Sequence, residues 1–379
     1  MSAHDPFQRV TAIVDLGAVE RNSALLAGKL SAGTELCAVV KADGYGHGMG
    51  ECAEASLRGG ATRLGVATAT EAFELRERVG AEVPIFVMGA LTGAELDVAL
   101  QARAELTVWT AEFLTELAER AGMFGFRPRI HVKYDSGMGR LGEREPFGVV
   151  RLADAAAADE RIELAGVWTH FATADEDDES YLREQLERFR EVALPIQERH
   201  PETMLHAANS AATLRGPEFH FGMVRCGVAV YGLDPFGRAP CPLGLEPALS
   251  LHTYVADVKR FHAGESAGYG RTWKAPQDTW VAVLPTGYGD GFRRGLSNAC
   301  DVLIGGSRYP LVGTISMDNL TVDLGPGPET EVVPGEPAVL IGVQDGEEVS
   351  AEQLAESLGT INYEITCGLS ARVPRAFRG

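Results

Sequence analysis

The chain has 379 residues, 45% of them hydrophobic and 23% charged, with a formal net charge of −19. That is a soluble globular composition, long enough for two or three domains. The negative balance argues against nucleic acid or an anionic membrane as a partner, because neutralising phosphates needs basic surface, and no run approaches the roughly 20 apolar residues that span a bilayer.

The first residues, Met1 to Pro6, lack a basic stretch followed by an apolar one, so no secretory signal is expected. Six scattered cysteines form no C-x-x-C pair, and several sit in apolar runs. They read as small buried hydrophobes in a reducing, cytoplasmic compartment. The acidic run 175–179 reads as a solvated turn and helix start.

Residues 12–14 predict a short strand, with Asp15 as a helix cap. Leu16, Val19, Leu26 and Leu30 then recur at helical spacing. Residues 37–40 predict a buried strand, followed by Lys41 and a glycine-rich turn. The chain holds only five lysines, so Lys41 invites a role that needs an amine: a Schiff base or a general base. The plainer reading is a lysine leaving the core at a strand end.

Strand-like segments follow at 63–67, 84–88, 106–109, 130–134, 164–168, 204–208 and 223–228. Helical patterns run through Phe73 and Val79 and over 94–102, 111–121, 146–157, 181–199 and 210–214. Eight strands alternating with helices predict a parallel (β/α)8 TIM barrel. A doubly wound open sheet is the alternative; it would need fewer strands. Beyond Pro247 the pattern changes to short alternating segments at 251–258, 279–284, 301–304, 311–315, 320–324 and 338–341, then a helix over 351–358 and a tail strand. The expected organisation is an α/β barrel over 12–245 and a C-terminal, mainly antiparallel β domain over 246–379, with residues 1–11 packing on the latter. The triplet G-Y-G recurs around Tyr45, Tyr269 and Tyr288, marking candidate functional tyrosines in turns.

In a barrel, residues just past the C-terminal strand ends meet on one face. Lys41, the loop from Asp135 to Arg140, Thr169 and His170, Asn209 and Ser210, Arg225, Gly227 and Val228 all fall there. Singly, His170 reads as a core histidine, Asn209 as a helix cap and Arg225 as half of an ion pair; together they read as a site. Ser210 and the backbone at Gly227 and Val228 lie where barrels hold phosphate. A reactive lysine facing a phosphate cradle suggests pyridoxal 5′-phosphate. No metal-binding, nucleophile-elbow or P-loop motif competes.

These motifs, with 133–142 (KYDSGMGRLG), 169–176 (THFATADE), 206–214 (HAANSAATL), 267–272 (AGYGRT), 285–292 (PTGYGDGF), 316–318 (SMD) and 360–364 (TINYE), make the chain resemble the alanine racemase family over nearly its whole length. The resemblance implies a fold type III pyridoxal-phosphate enzyme that interconverts L- and D-alanine, supplying D-alanine for peptidoglycan. It implies Lys41 as the cofactor lysine and one catalytic base, and Tyr269 as the opposing base. It implies Arg225 at the pyridine nitrogen, with His170 and Arg225 setting the tyrosine's environment. Tyr45, Ser210, Gly227, Val228 and Tyr363 are implied phosphate contacts, and Asn209 a further cofactor contact. Arg140 and the Met317 backbone are implied to hold the substrate carboxylate, Asp318 to shape the entrance, and Lys133 to be a lysine that can be carbamylated. It also implies a homodimer in which Tyr269, Met317 and Asp318 serve the partner's barrel. Ser136, Ser316, Trp273 and Phe292 depart from the usual family residues without removing a catalytic group. A broader-specificity or serine racemase, a decarboxylase of the same architecture and a non-catalytic cofactor-binding protein are the competing readings.

Overall fold

The computed structural model describes residues 8–239, 241–327 and 331–379; residues 1–7 lie outside the described residues. The chain forms two compact units: 19–45 with 49–230, and the described residues up to Ala18 with 46–48 and 231–379.

In the first unit, eight parallel strands close into a barrel: β2 (Glu35–Val39), β3 (Arg63–Val66), β4 (Ile85–Val87), β5 (Glu105–Val108), β6 (Arg129–Lys133), β7 (Glu163–Trp168), β8 (Met204–His206) and β9 (Met223–Cys226), with β9 pairing back to β2. Their residues are almost all buried, as parallel strands covered on both faces must be. Helices enter through their own caps. Thr68 and Glu71, then Thr92 and Glu95, form reciprocal capping boxes, so each helix starts at a fixed point beyond its strand. The acidic run leads into the helix Ser180–Arg199: Asp178 accepts from the Ser180 N–H, and Glu179 pairs with Arg183 and Arg215.

The second unit centres on a ten-stranded sheet. Its main path runs Asp257–Phe261, Thr279–Leu284, Leu320–Gly325, Ser307–Val312, Asp301–Ile304, Pro337–Gln344, Leu249–Tyr254, β1 (Thr11–Asp15) and Arg375–Arg378. All these pairs are antiparallel except the last, β1 with Arg375–Arg378. No helix among the described residues is long and apolar enough to cross a membrane.

Three sequence expectations change. The strand at 12–14, assigned with the barrel, belongs to this sheet, where it pairs with Leu249–Tyr254 and Arg375–Arg378; Asp15 still caps the helix, accepting from the Ala18 N–H at 2.9 Å. The single segment 251–258 is two strands, because the backbone changes partner: Val255 donates to Glu336 and Ala256 to Val283. Residues 362–367 form a helix before the final strand. The helix Met49–Arg58 after the lysine turn was also not anticipated.

Candidate active site

Lys41 leaves the barrel two residues beyond β2 and opens a left-handed turn. Ala42, Asp43, Gly44 and Tyr45 all have φ between 52° and 60°. For the three non-glycine residues this costs about 1–2 kcal/mol each, so neighbouring groups must hold the turn. Glu71 does so from the next βα unit, accepting from the Ala42 N–H at 2.7 Å and from the N–H groups of Ala67 and Thr68. Asp43 accepts from Met49 at 2.9 Å, and the Gly44 N–H donates to Val40. The glycine-rich sequence predicted a turn here; its handedness was not legible.

The turn carries Tyr45 to the strand β9 exit. Ser210, at the start of the helix Ser210–Arg215, accepts from the Gly227 N–H at 3.0 Å and the Ala229 N–H at 3.4 Å. A Cβ on Gly227 would lie 2.3 Å from the Tyr45 hydroxyl. Tyr45, Ser210, Gly227 and Val228 thus converge, and only glycine permits the approach. Asn209 caps the same helix, its Oδ1 accepting from the Ala212 N–H at 3.0 Å. The capping reading holds for that oxygen.

Arg225 is buried and tightly fixed. Its Nη1 donates to His206 Nδ1 at 2.8 Å, and its Nη2 to the Thr169 and Ala207 carbonyls at 2.8 Å, with His170 Nδ1 at 3.4 Å. Its Nε, also buried, has no hydrogen-bond partner among the described residues. Burial lowers the guanidinium to about 10, so it stays protonated near neutrality. His170 is held well below the ordinary histidine range by burial and then by Arg225 and Arg140. It is therefore a neutral imidazole, and of the two residues expected to shape the tyrosine's environment only Arg225 brings charge.

Lys133 ends β6 with its Nζ 4.2 Å from the Trp168 ring centroid; Arg225 Cζ lies 4.6 Å from the same ring. Burial, then Arg225 and Arg140, lowers the Lys133 amine to about 7. The following loop is organised by Asp135, whose carboxylate accepts from the N–H groups of Gly137, Gly139 and Arg140 at 3.0–3.1 Å. Arg140 is left exposed. Ser136, where threonine is usual, keeps a hydroxyl bond to Thr169 at 2.8 Å. The barrel face therefore gathers Lys41, Lys133, Arg140 and Arg225, a cationic set suited to a phosphate and a carboxylate.

The remaining residues belong to the second unit. Tyr269 sits in the short turn Tyr269–Arg271, 72% exposed, beside a groove of about 390 Å³ lined in part by Thr314, Ser316 and Leu320. Met317 is 52% exposed, and its carbonyl accepts from Gly289 at 2.9 Å. Asp318 pairs with Arg372 at 2.8 Å. Tyr288, in the third G-Y-G triplet, opens a short turn anchored on the Ser316 carbonyl at 3.1 Å. Tyr363, half-buried, lies in the helix Asn362–Cys367.

The chain matches the models of the alanine racemase N-terminal domain over residues 14–235 and the alanine racemase C-terminal domain over residues 248–377. It is 41% identical over 376 residues to an alanine racemase of Symbiobacterium thermophilum, covering 99% of this chain and 98% of that protein. It is 39% identical to alanine racemase 1 of Bacillus subtilis, covering 98% and 94%. Among solved structures, alanine racemase from E. faecalis aligns with a TM-score of 0.91 at 37% identity, covering 98% of each chain. Alanine racemase from Streptomyces lavendulae aligns at 0.92 and 37%, covering 99% and 98%. With both domain models matched in order and relatives aligned end to end, the chain belongs to the alanine racemase family of isomerases.

Proposed function

We propose that this protein interconverts L- and D-alanine with pyridoxal 5′-phosphate, in a homodimer whose two active sites each draw on both chains. The observation that carries the reading is Arg225: every guanidinium nitrogen is engaged except a buried Nε–H, a donor in want of an acceptor such as a pyridine nitrogen. Tyr45, Ser210 and the backbone at Gly227 and Val228 suit the phosphate, with Tyr363 and Asn209 as further contacts. Held at Lys41, the cofactor supplies the electron withdrawal that makes the substrate's α-hydrogen acidic.

The chain's own groups do the rest. Arg140 and the Met317 backbone orient the substrate carboxylate, and Asp318 borders the entrance. The Lys41 amine takes or returns the α-proton on one face, and Tyr269 of the partner subunit serves the other. A base on each face is what inversion at a single carbon requires. The exposure of Tyr269 supports its action on another chain: a phenol left in water in its own chain can enter a partner's site. Arg225 stays cationic and surrenders its proton poorly, so a cofactor ring nitrogen held at its Nε–H would stay unprotonated, which would disfavour transamination.

Lys133, with an amine at about 7, has a large neutral fraction at neutral pH, and the neutral amine is the form that adds CO2. A carbamate there would place an anion among Arg140, Arg225 and Lys41. The reading extends to a cytoplasmic enzyme supplying D-alanine for peptidoglycan. Purified protein loaded with the cofactor should form D-alanine from L-alanine without releasing CO2. CO2 release instead would indicate the decarboxylase, and faster turnover of serine a serine racemase.

A further inference from the structure

A chain of buried polar side chains runs through the barrel from the strand starts to Arg225. Arg225 Nη1 lies 2.8 Å from His206 Nδ1, His206 Nε2 lies 3.0 Å from His131 Nδ1, and His131 Nε2 lies 3.1 Å from Glu105 Oε2. None of the four residues is more than 4% exposed. Glu105 is in turn held by Arg63 and by Arg129 Nε at 2.8 Å.

The proton positions follow from the chemistry of the two ends. A guanidinium only donates, and an ionised carboxylate only accepts. Burial keeps both imidazoles neutral. Burial alone would raise Glu105, but the His131 hydrogen bond and the Arg63 charge outweigh it, down to about 2. His206 must therefore accept from Arg225 at Nδ1 and carry its hydrogen on Nε2. That hydrogen goes to His131 Nδ1, and His131 donates from Nε2 to Glu105. One direction satisfies every member; reversing it sets two donors face to face at Arg225.

The surroundings are shaped to this chain. A Cβ on Gly166, within β7, would lie 2.3 Å from His131 Nδ1, so a strand position gives up its side chain to admit the imidazole. Phe86 packs 4.6 Å from His131, and Trp168 stacks on His206 at 5.6 Å with 6° between the planes.

We propose that Glu105 and His131 are positioning residues of the racemase reaction: through His206 they fix the hydrogen-bond direction that holds Arg225 with its Nε aimed for donation, and so restrain the enzyme from transamination. This rests on the function proposed above. If the order is lost, the guanidinium shifts and the pyridine nitrogen can take a proton from water, strengthening the electron sink. The competing outcome then gains: the amino group and two electrons of alanine pass to the cofactor, water supplies the carbonyl oxygen, and pyruvate leaves with pyridoxamine phosphate remaining.

The test compares the holoenzyme with His131→Leu, His131→Asn and Glu105→Gln. The readouts are pyridoxamine phosphate formed per racemisation turnover and the tautomer of His206 by ¹⁵N NMR of histidine-labelled protein. Wild type should show His206 with its hydrogen on Nε2. His131→Leu should raise the transamination ratio roughly tenfold, the equivalent of one hydrogen bond to a charged group. His131→Asn, whose amide oxygen can accept from His206, should stay closer to wild type. A wild-type ratio in folded His131→Leu, or His206 carrying its hydrogen on Nδ1 in the wild type, would overturn the proposal. Should His131→Leu not fold, the His206 tautomer in the wild type decides, and Glu105→Gln, whose amide oxygen can still accept from His131, should stay close to the wild-type ratio. A wild type that does not racemise alanine defeats the proposed function, whereas racemisation with an unchanged ratio defeats only this inference.

Discussion

The barrel and the second unit treat their ionisable groups in opposite ways. In the barrel, Arg225, Lys133 and Glu105 are buried and His170 is half-buried, and burial together with neighbouring charge moves their proton affinities. In the second unit, Tyr269 and Met317 stand out in solvent, and Asp318 is part of an exposed ion pair with Arg372. The barrel has already met the cost of desolvation within one chain. The second unit presents groups whose desolvation must come from something that covers them, and in the proposed dimer that is the partner's barrel.

The contrast can be broken or sharpened by substitution. The largest effect is expected for Lys41→Ala, which removes both the attachment point and one base. Racemisation should fall by at least about 10²–10⁴-fold, with loss of the visible absorbance of the loaded enzyme; residual turnover near wild type would remove Lys41 from the chemistry. Tyr269→Phe should keep that absorbance and lose a comparable factor. Because the two enantiomers are equal in energy, racemisation must fall in both directions. Exchange of the α-hydrogen with solvent deuterium should survive for one enantiomer alone; survival for both, or for neither, would contradict one base per face.

Gly227→Ala tests the barrel side more gently. Its Cβ would displace the Tyr45 hydroxyl, and cofactor affinity should fall roughly tenfold, about 1.4 kcal/mol. Unchanged affinity by equilibrium dialysis would remove this pair from the phosphate site. The smallest effect concerns Lys133. With its amine lowered from 10.5 to about 7, the folded chain is penalised for holding a lysine cation below pH 7. The penalty fades as pH rises from about 7 towards 10.5, where the unfolded chain also loses the proton. In CO2-free buffer, Lys133→Met should therefore raise Tm more at pH 6 than at pH 9. Added ¹³CO2 should give a carbamate resonance in wild type that the variant lacks; an equal gain in Tm at both pH values would contradict the burial of a charged amine.

What the sequence made legible follows the same division. Alternating strands and helices gave the barrel because period and spacing are local signals, and Lys41, Lys133 and Arg225 could be placed by position at strand ends. The pairing of β1 with Arg375–Arg378 joins segments more than 350 residues apart and leaves no local trace. The buried chain from Glu105 to His206 escaped notice for a related reason. Glu35, Arg63, Glu105 and Arg129 each look like a charge at a strand start, and only closure of the barrel turns Glu105, Arg63 and the two histidines inward together. Their one sequence signal was polar residues interrupting otherwise apolar runs. The left-handed turn after Lys41 was hidden because alanine, aspartate and tyrosine adopt that conformation only under outside restraint, here the Glu71 carboxylate.

The central claim is that each active site joins a lysine from one chain to a tyrosine from the other, and subunit mixing tests it most directly. Lys41→Ala and Tyr269→Phe proteins, each inactive alone, should on exchange form heterodimers with one site complete in both residues. At equal concentrations about half the dimers are mixed and each has one intact site of two, so activity should return to about a quarter of wild type. No return of activity, with heterodimers demonstrated by mass spectrometry, would contradict the shared site.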